Sequence, residues 1–393
     1  MATGAGDRNI PLSMRTVAFG VITIFILWVL LFKGATLSDY ESGSCHFPAI
    51  FNFGDSNSDT GSVSATFDRI FPPYGDTFFG KPSGRYSDGR LLIDFIAEEL
   101  RFPYLSAYLD SIASNFQHGV NFAASGSTIQ RMDAKLCAAG FNPLTLDVQI
   151  SQFDQFKART LELQDQAKSS DIKSKLPKSE DFARALYMTD SGQNDLHYGL
   201  ALTTEEEVKK SIPNIIAQFT VAVEQLYEKG ARAFWIHNTG PIGCLPYFVV
   251  KYPPSPDNAD QNGCLKSYNE VAQEFDNQLK DSVSKLRDQH PDAVLIYVDL
   301  YSAKYSLISN AKDYGFLDPL GCCCGSGVVD CGKKTTVNGT ETFGSVCKNP
   351  SEYISWDGIH YTEAANKWLA EHIVNGSFSE PRVSITEACT KPS

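Results

Sequence analysis

The residues best suited to chemistry stand in four short blocks, far apart in the chain. Gly54-Asp55-Ser56-Asn57-Ser58-Asp59-Thr60-Gly61 follows an apolar run and sets a serine just past its end. Trp356-Asp357-Gly358-Ile359-His360 puts a carboxylate three residues before a histidine. At that spacing Asp357 can reach the Nδ1–H of His360 and leave Nε2 free to take a proton from a serine hydroxyl. Serine is a weak nucleophile until such a base stands beside it. Thr189-Asp190-Ser191-Gly192-Gln193-Asn194-Asp195 offers the Asn194 amide, and Asn121-Phe122-Ala123-Ala124-Ser125-Gly126-Ser127 the backbone N–H of Gly126. Both can donate to a developing oxyanion. Each block also has a plainer reading: Ser56 and Asp55 suit a helix N-cap, and Gly-x-Asn-Asp is common turn chemistry. Four such blocks, each after an apolar run or in a terminal loop, favour catalysis.

Bringing them together needs a scaffold that ends its strands side by side. Apolar runs at 48–53, 118–122, 183–188, 231–237 and 293–298 read as strands, the last three fit for a buried parallel sheet. Helical spacing marks 91–100, where Leu92, Phe95, Ile96 and Leu100 share one side, and a polar helix-like segment covers 148–166. Longer amphipathic stretches cover 205–229 and 268–289, and a helix at 362–374 closes the body. Strands alternating with helices predict an α/β sandwich with a mostly parallel sheet. Ligands of such sheets bind beyond the carboxyl ends of the strands, which is where Ser56, Gly126 and Asn194 fall.

The net charge of −12 comes without a basic block, so no phosphate-backbone footprint exists and nucleic acid is not an expected partner. Ten cysteines, three of them consecutive at Cys322, Cys323 and Cys324, lack the paired spacing of a zinc site. Disulfides are expected instead, with open connectivity, and the Gly- and Cys-rich stretch 321–347 reads as a disulfide-tied loop. No metal ligand set is expected: His46, His118, His197, His237, His290 and His372 read as structural or exposed. Trp356 either lines a pocket or packs beneath it. Residues 17–32 carry no charge, with Arg8 and Arg15 before them and Asp39 and Glu41 after. This predicts a signal anchor with the body lumenal, in preference to a cleaved signal peptide. Asn338-Gly339-Thr340 and Asn375-Gly376-Ser377 are glycosylation sequons usable in that compartment. The expected organisation is a cytoplasmic tail at 1–16, the membrane segment at 17–32, a lumenal stem at 33–46, a catalytic body at 47–376 and a tail at 377–393.

FGDSNSDTG, NFAASGS, GQND and DGIH, in this order and at these separations, resemble the four blocks of the SGNH, or GDSL, hydrolases. NTGPIGCLP at 238–246, the CCCG stretch and PPYGDTFFGKPSGRYSDGRLLIDFIAEEL are similar to the plant GDSL esterase/lipase family, in its early-nodulin-like and fucosidase-like branch. The chain departs from many members at Gly61-Ser62, where they carry Gly-Asn. The resemblance implies a three-layer α/β/α sandwich with a mostly parallel, flavodoxin-like sheet. It also implies Ser56 as nucleophile, His360 as general base and acid, and Asp357 as the residue orienting the imidazole. The N–H of Ser56, the N–H of Gly126 and the Asn194 amide become the oxyanion hole, with no organic cofactor and no metal. Asp55, Asp59 and Asp195 read as local turn and hydrogen-bond residues. The implied substrate is a short acyl ester, foremost acetyl, on a carbohydrate or cell-wall polysaccharide. The implied setting is the secretory pathway, either as a single-pass type II Golgi membrane protein acting as a polysaccharide deacetylase or as a secreted one. Alternatives are a lipase for longer acyl chains and a glycosidase-like carbohydrate-active protein, although no carboxylate pair for the latter is evident.

Overall fold

Side chains alternate across a strand, so a sheet covered on both faces needs apolar residues at every position. With the buried Asn52 and Asn121 satisfying each other through a hydrogen bond of 2.8 Å, the five runs largely meet that need. In the computed structural model, which describes Met1 and residues 45–389 except 113, 132–141 and 338, they form β1 (Ile50–Gly54), β2 (Gly119–Asn121), β3 (Leu186–Asp190), β4 (Ala233–His237) and β5 (Val294–Val298). All pair in parallel in the order β2-β1-β3-β4-β5. This is the flavodoxin-like order, and its topological switch lies where β1 separates β2 from β3.

Among the described residues seven helices of eight residues or more flank the sheet: α1 (Leu92–Glu99), α2 (Leu146–Gln166), α3 (Gln193–Leu202), α4 (Glu205–Glu228), α5 (Lys266–Gln289), α6 (Leu300–Ser309) and α7 (Glu363–Ile373). Phe51, Phe53, Tyr187, Phe234, Ile236 and Leu295 point to one face and pack with α2, α3, α4 and α5. Their neighbours Ile50, Met188, Trp235, Val294 and Ile296 point to the other and pack with α1, α6 and α7. The result is the expected three-layer α/β/α sandwich. The long amphipathic helices obey their periodicity: α5 buries Val271, Phe275, Leu279, Val283 and Leu286, three or four residues apart.

The end of the body differs from expectation. Ser379–Glu380 forms β6, antiparallel to β5 at the sheet edge, and Cys389 is bonded to Cys45. Residues 377–389 are therefore part of the sandwich and not a tail, and Cys45 belongs to the body and not the stem. A two-residue edge strand leaves too short a pattern to be read in advance. Among the described residues three further disulfides, Cys244–Cys264, Cys323–Cys347 and Cys324–Cys331, give the pairing that the spacing left open. The 321–347 loop is thus cross-linked twice, and it carries a small hairpin, Lys334–Val337 against Thr340–Phe343. Cys322 keeps a free thiol, pushed up to about 11 by burial and then by Asp357. Among the described residues no helix is long and apolar enough to cross a membrane; the 17–32 segment and the Asn338 sequon lie outside them. Asn375 is exposed just past α7.

Candidate active site

The first strand must turn sharply at Gly54. A Cβ there would stand 2.3 Å from the Asp190 carbonyl oxygen of β3, so only glycine fits. Ser56 follows two residues later, buried, and it caps no helix. The short helix Ser62–Thr66 is capped by Asp59, whose Oδ1 accepts from the N–H groups of Gly61 (2.7 Å) and Ser62 (2.6 Å). Asp59 Oδ2 accepts from Ser125 N–H at 2.8 Å, tying the Ser56 loop to the loop that carries Gly126. Gly126 itself holds a left-handed φ of 76°, a conformation that suits glycine. Asp195 joins the first turn of α3 to that second loop: its two oxygens accept from Ile129 N–H (2.9 Å) and Gln130 N–H (3.0 Å). Asn194 Nδ2 donates to Ser127 O at 2.8 Å and, at 3.3 Å, to Asp55 Oδ2. One amide hydrogen is firmly placed, and the other is held by the longer contact.

Burial dominates the electrostatics of these carboxyls. It pushes Asp195 up to about 7 and raises Asp59, against the backbone N–H groups that favour their charged forms. Asp55 is raised as well, by burial and then by the charge of Asp190. Asp190 moves the other way: burial opposes its charge, but His237, with Nδ1 3.3 Å from Oδ2, outweighs it. As expected, Asp55, Asp59 and Asp195 do structural work here.

The histidine arrives on different architecture. The strand Tyr353–Ser355 leads into a tight turn in which Asp357 Oδ1 accepts from Ile359 N–H (3.0 Å) and His360 N–H (2.9 Å). His360 Nδ1 lies 2.7 Å from Asp357 Oδ2. Burial resists the Asp357 charge, but His360 and these backbone N–H groups outweigh it and hold the carboxyl below its ordinary range. Trp356 packs beneath the turn, in a small core with Cys323, Cys324 and Cys331.

Ser56, Gly126, Asn194 and His360 line one cleft of about 670 Å³ at the carboxyl edge of the sheet. No direct hydrogen bond joins Ser56 Oγ to His360 Nε2 here; such contacts commonly tighten only when substrate binds. Three further residues matter that the sequence did not single out for the site. Tyr86 lines the cleft with its ring 5.1 Å from that of His360, and Tyr74 donates to Asp357. Both lie in the PPYGDTFFGKPSGRYSDG stretch, which carried the family likeness without a role. His197, read as structural, also lines the cleft; it stacks on Tyr247, and burial followed by Lys251 and His360 pushes it down to about 4. The other described histidines serve elsewhere: His118 stacks on Phe102 and His372 on Trp368. Cys244, Asp260 and Cys264 come close enough to suggest a metal site, but the two sulfurs are bonded to each other.

A family model described as GDSL-like lipase/acylhydrolase matches residues 50–373. The chain is 50% identical to "GDSL esterase/lipase At5g14450" of Arabidopsis thaliana, covering 93% of this chain and 96% of that protein. It is 48% identical to "Alpha-L-fucosidase 3" of the same plant (84% and 91% covered) and 43% identical to "GDSL esterase/lipase ENOD8" of Medicago truncatula (98% and 97%). The matched span contains every loop that reaches the cleft, and so the chain belongs to the GDSL lipase/acylhydrolase family and is a carboxylic ester hydrolase.

Proposed function

We propose that the chain removes short acyl groups, foremost acetyl, from carbohydrate esters through a Ser56–His360–Asp357 triad. The observation that carries this reading is the single cleft lined by Ser56, Gly126, Asn194 and His360, with Asp357 2.7 Å behind the imidazole. Ser56 Oγ attacks the ester carbonyl carbon while His360 Nε2 takes its proton. The carbonyl oxygen, now an oxyanion, receives hydrogen bonds from the N–H groups of Ser56 and Gly126 and from the Asn194 amide hydrogen that gives up its 3.3 Å contact with Asp55 Oδ2. His360 then protonates the leaving alcohol, and an acyl group remains on Ser56. A water molecule, deprotonated by His360, releases the acid and restores the serine.

The substrate class rests on the walls. Tyr86 and Tyr198 offer flat rings beside the polar groups of Asp68, Ser125 and Asn142, a mixture suited to a sugar face and its hydroxyls. A longer acyl chain is the second reading, favoured by Phe67, which is 56% exposed and sits in the same lining as Val63 and Ile359. Glycoside cleavage has less support, since among the described residues the cleft lining contains one carboxylate, Asp68, where two are needed. Hydrolysis of acetylated polysaccharides and of p-nitrophenyl esters of graded chain length tests the choice. Acetyl esters should be preferred, and a preference for long chains would overturn the carbohydrate reading.

Four disulfides among the described residues support a body that matures in the secretory pathway. The type II Golgi anchor rests on the apolar run 17–32. Full-length protein should then stay with membranes after carbonate extraction and carry glycans at Asn338 or Asn375. A soluble product starting near residue 36 would show a cleaved signal peptide instead.

A further inference from the structure

Asp357 Oδ2 has two donors. His360 Nδ1 lies 2.7 Å away, and the Tyr74 hydroxyl, from a segment 283 residues earlier, donates to the same oxygen at 2.9 Å. The tyrosine is locked in place. Its ring meets Trp356 and Tyr86 edge-on, each with centroids 6.0 Å apart. Next to it, Gly75 N–H donates to Ser87 O at 2.9 Å, and the disulfide loop presses on Pro73 so closely that a Cβ on Gly332 would stand 2.7 Å from its Cδ. Burial, then the Asp357 charge, raises the Tyr74 hydroxyl far above its ordinary range, so it stays protonated and can only donate to a carboxylate.

We infer that Tyr74 is a positioning residue of the hydrolytic reaction: it fixes the Asp357 carboxylate and limits how strongly Oδ2 holds the His360 imidazolium. This rests on the triad reading above. With Oδ1 occupied by two backbone N–H groups, the Tyr74 bond completes a set of four that leaves the carboxylate no freedom to rotate. Negative charge shared with the phenol is charge withheld from the imidazolium. Removing the hydroxyl frees the carboxylate to bind the protonated imidazole more strongly, at some loss of orientation. Among the described residues, the titratable groups facing the Asp357–His360 pair are Tyr74 and Tyr86, His197 of α3 and Cys322 of the disulfide loop, while Asp330 of that loop faces Tyr74. All but Tyr74 are untouched by the substitution.

Tyr74→Phe keeps the ring and its packing and removes the donor. The full pH profile of kcat/KM for p-nitrophenyl acetate is measured beside thermal unfolding. The acid limb, where the imidazole gains its proton, should move to higher pH by about 0.5–1 unit. At the plateau kcat should fall a few-fold with KM unchanged. In an Asp357→Asn background, which removes the charge being shared, Tyr74→Phe should no longer shift the limb. A Tyr74→Phe profile superimposable on wild type, or a lower Tm and kcat without a shifted limb, would reduce Tyr74 to packing and overturn the inference. Ser56→Ala, assayed in parallel, separates the two claims: residual wild-type activity there would defeat the triad itself, whereas a dead Ser56→Ala with an unmoved Tyr74→Phe profile would defeat only the role of Tyr74.

Discussion

Ser56 and His360 reach the same cleft from supports of different kinds. Ser56 and Gly126 stand on loops that leave parallel strands, Asn194 stands in the first turn of α3 just past β3, and buried carboxyls stitch these segments to one another. Asp59 links the first to the second, and Asp195 the second to the third. The Asp357–His360 turn leaves a three-residue strand outside the main sheet and lies over Trp356 and three disulfide-bonded cysteines. One side is held by the sheet and by short hydrogen bonds, the other by covalent cross-links. In the proposed mechanism the groups that meet the acyl carbon and its oxyanion stand on the half held by the main sheet, while the proton carrier stands on a separately braced loop. The two halves join where Tyr247, stacked on His197, donates its N–H to Gly358 O at 3.0 Å.

This contrast predicts a graded set of losses. Ser56→Ala removes the atom that forms the acyl-enzyme, and kcat should fall by about 10⁵–10⁶. Asp357→Asn keeps the turn's shape but misdirects the imidazole, for a loss near 10⁴ in kcat on the base side alone. On the sheet side, Asn194→Ala leaves the nucleophile and base intact and should cost on the order of 10²–10³ in kcat with little change in KM. If the Asn194 loss equalled that of Ser56→Ala, the amide would be holding the loop and not the oxyanion.

Paired Cys324→Ser and Cys331→Ser substitutions sharpen the contrast. Loosening the loop under Trp356 should lower kcat by up to about 10², the cost of misplacing the base, while phosphonate affinity at the oxyanion side changes little. An equal loss of both would mean that the two supports act as one. The smallest effect concerns the joint. His197, pushed down to about 4 in the folded protein against an ordinary 6.5, is neutral when folded and charged when unfolded across that interval. The unfolded chain then binds the extra proton, so stability is lost as pH falls from about 6.5 to 4. His197→Phe keeps a ring against Tyr247 and should flatten the fall of Tm across that window. A curve as steep as wild type would place the titrating group elsewhere.

Much of this was legible in residue order. The five parallel strands announced themselves because sheets covered on both faces demand unbroken apolar runs such as Phe234-Trp235-Ile236. Ser56, Gly126, Asn194, Asp357 and His360 stand out as candidates because their spacing within each block is local. What escaped depends on contacts across the chain. Tyr74 meets Asp357 over 283 residues, and nothing near either residue signals the pairing. Helices α3 and α6 are ten residues each and only weakly amphipathic, so their pattern does not stand out. Edge strand β6 takes its identity from β5 and the Cys45–Cys389 bond, both distant in sequence. Nor could the run of three cysteines reveal which sulfur stays free.

The central claim is that Ser56 becomes acylated with His360 as its base, and a covalent probe tests it most directly. The purified chain is treated with a p-nitrophenyl phosphonate, digested and mapped by mass spectrometry, beside His360→Ala. One adduct on the peptide containing Ser56, formed at a rate that drops sharply in His360→Ala, is the predicted result. An adduct on another residue, or labelling of Ser56 at an unchanged rate without His360, would contradict it.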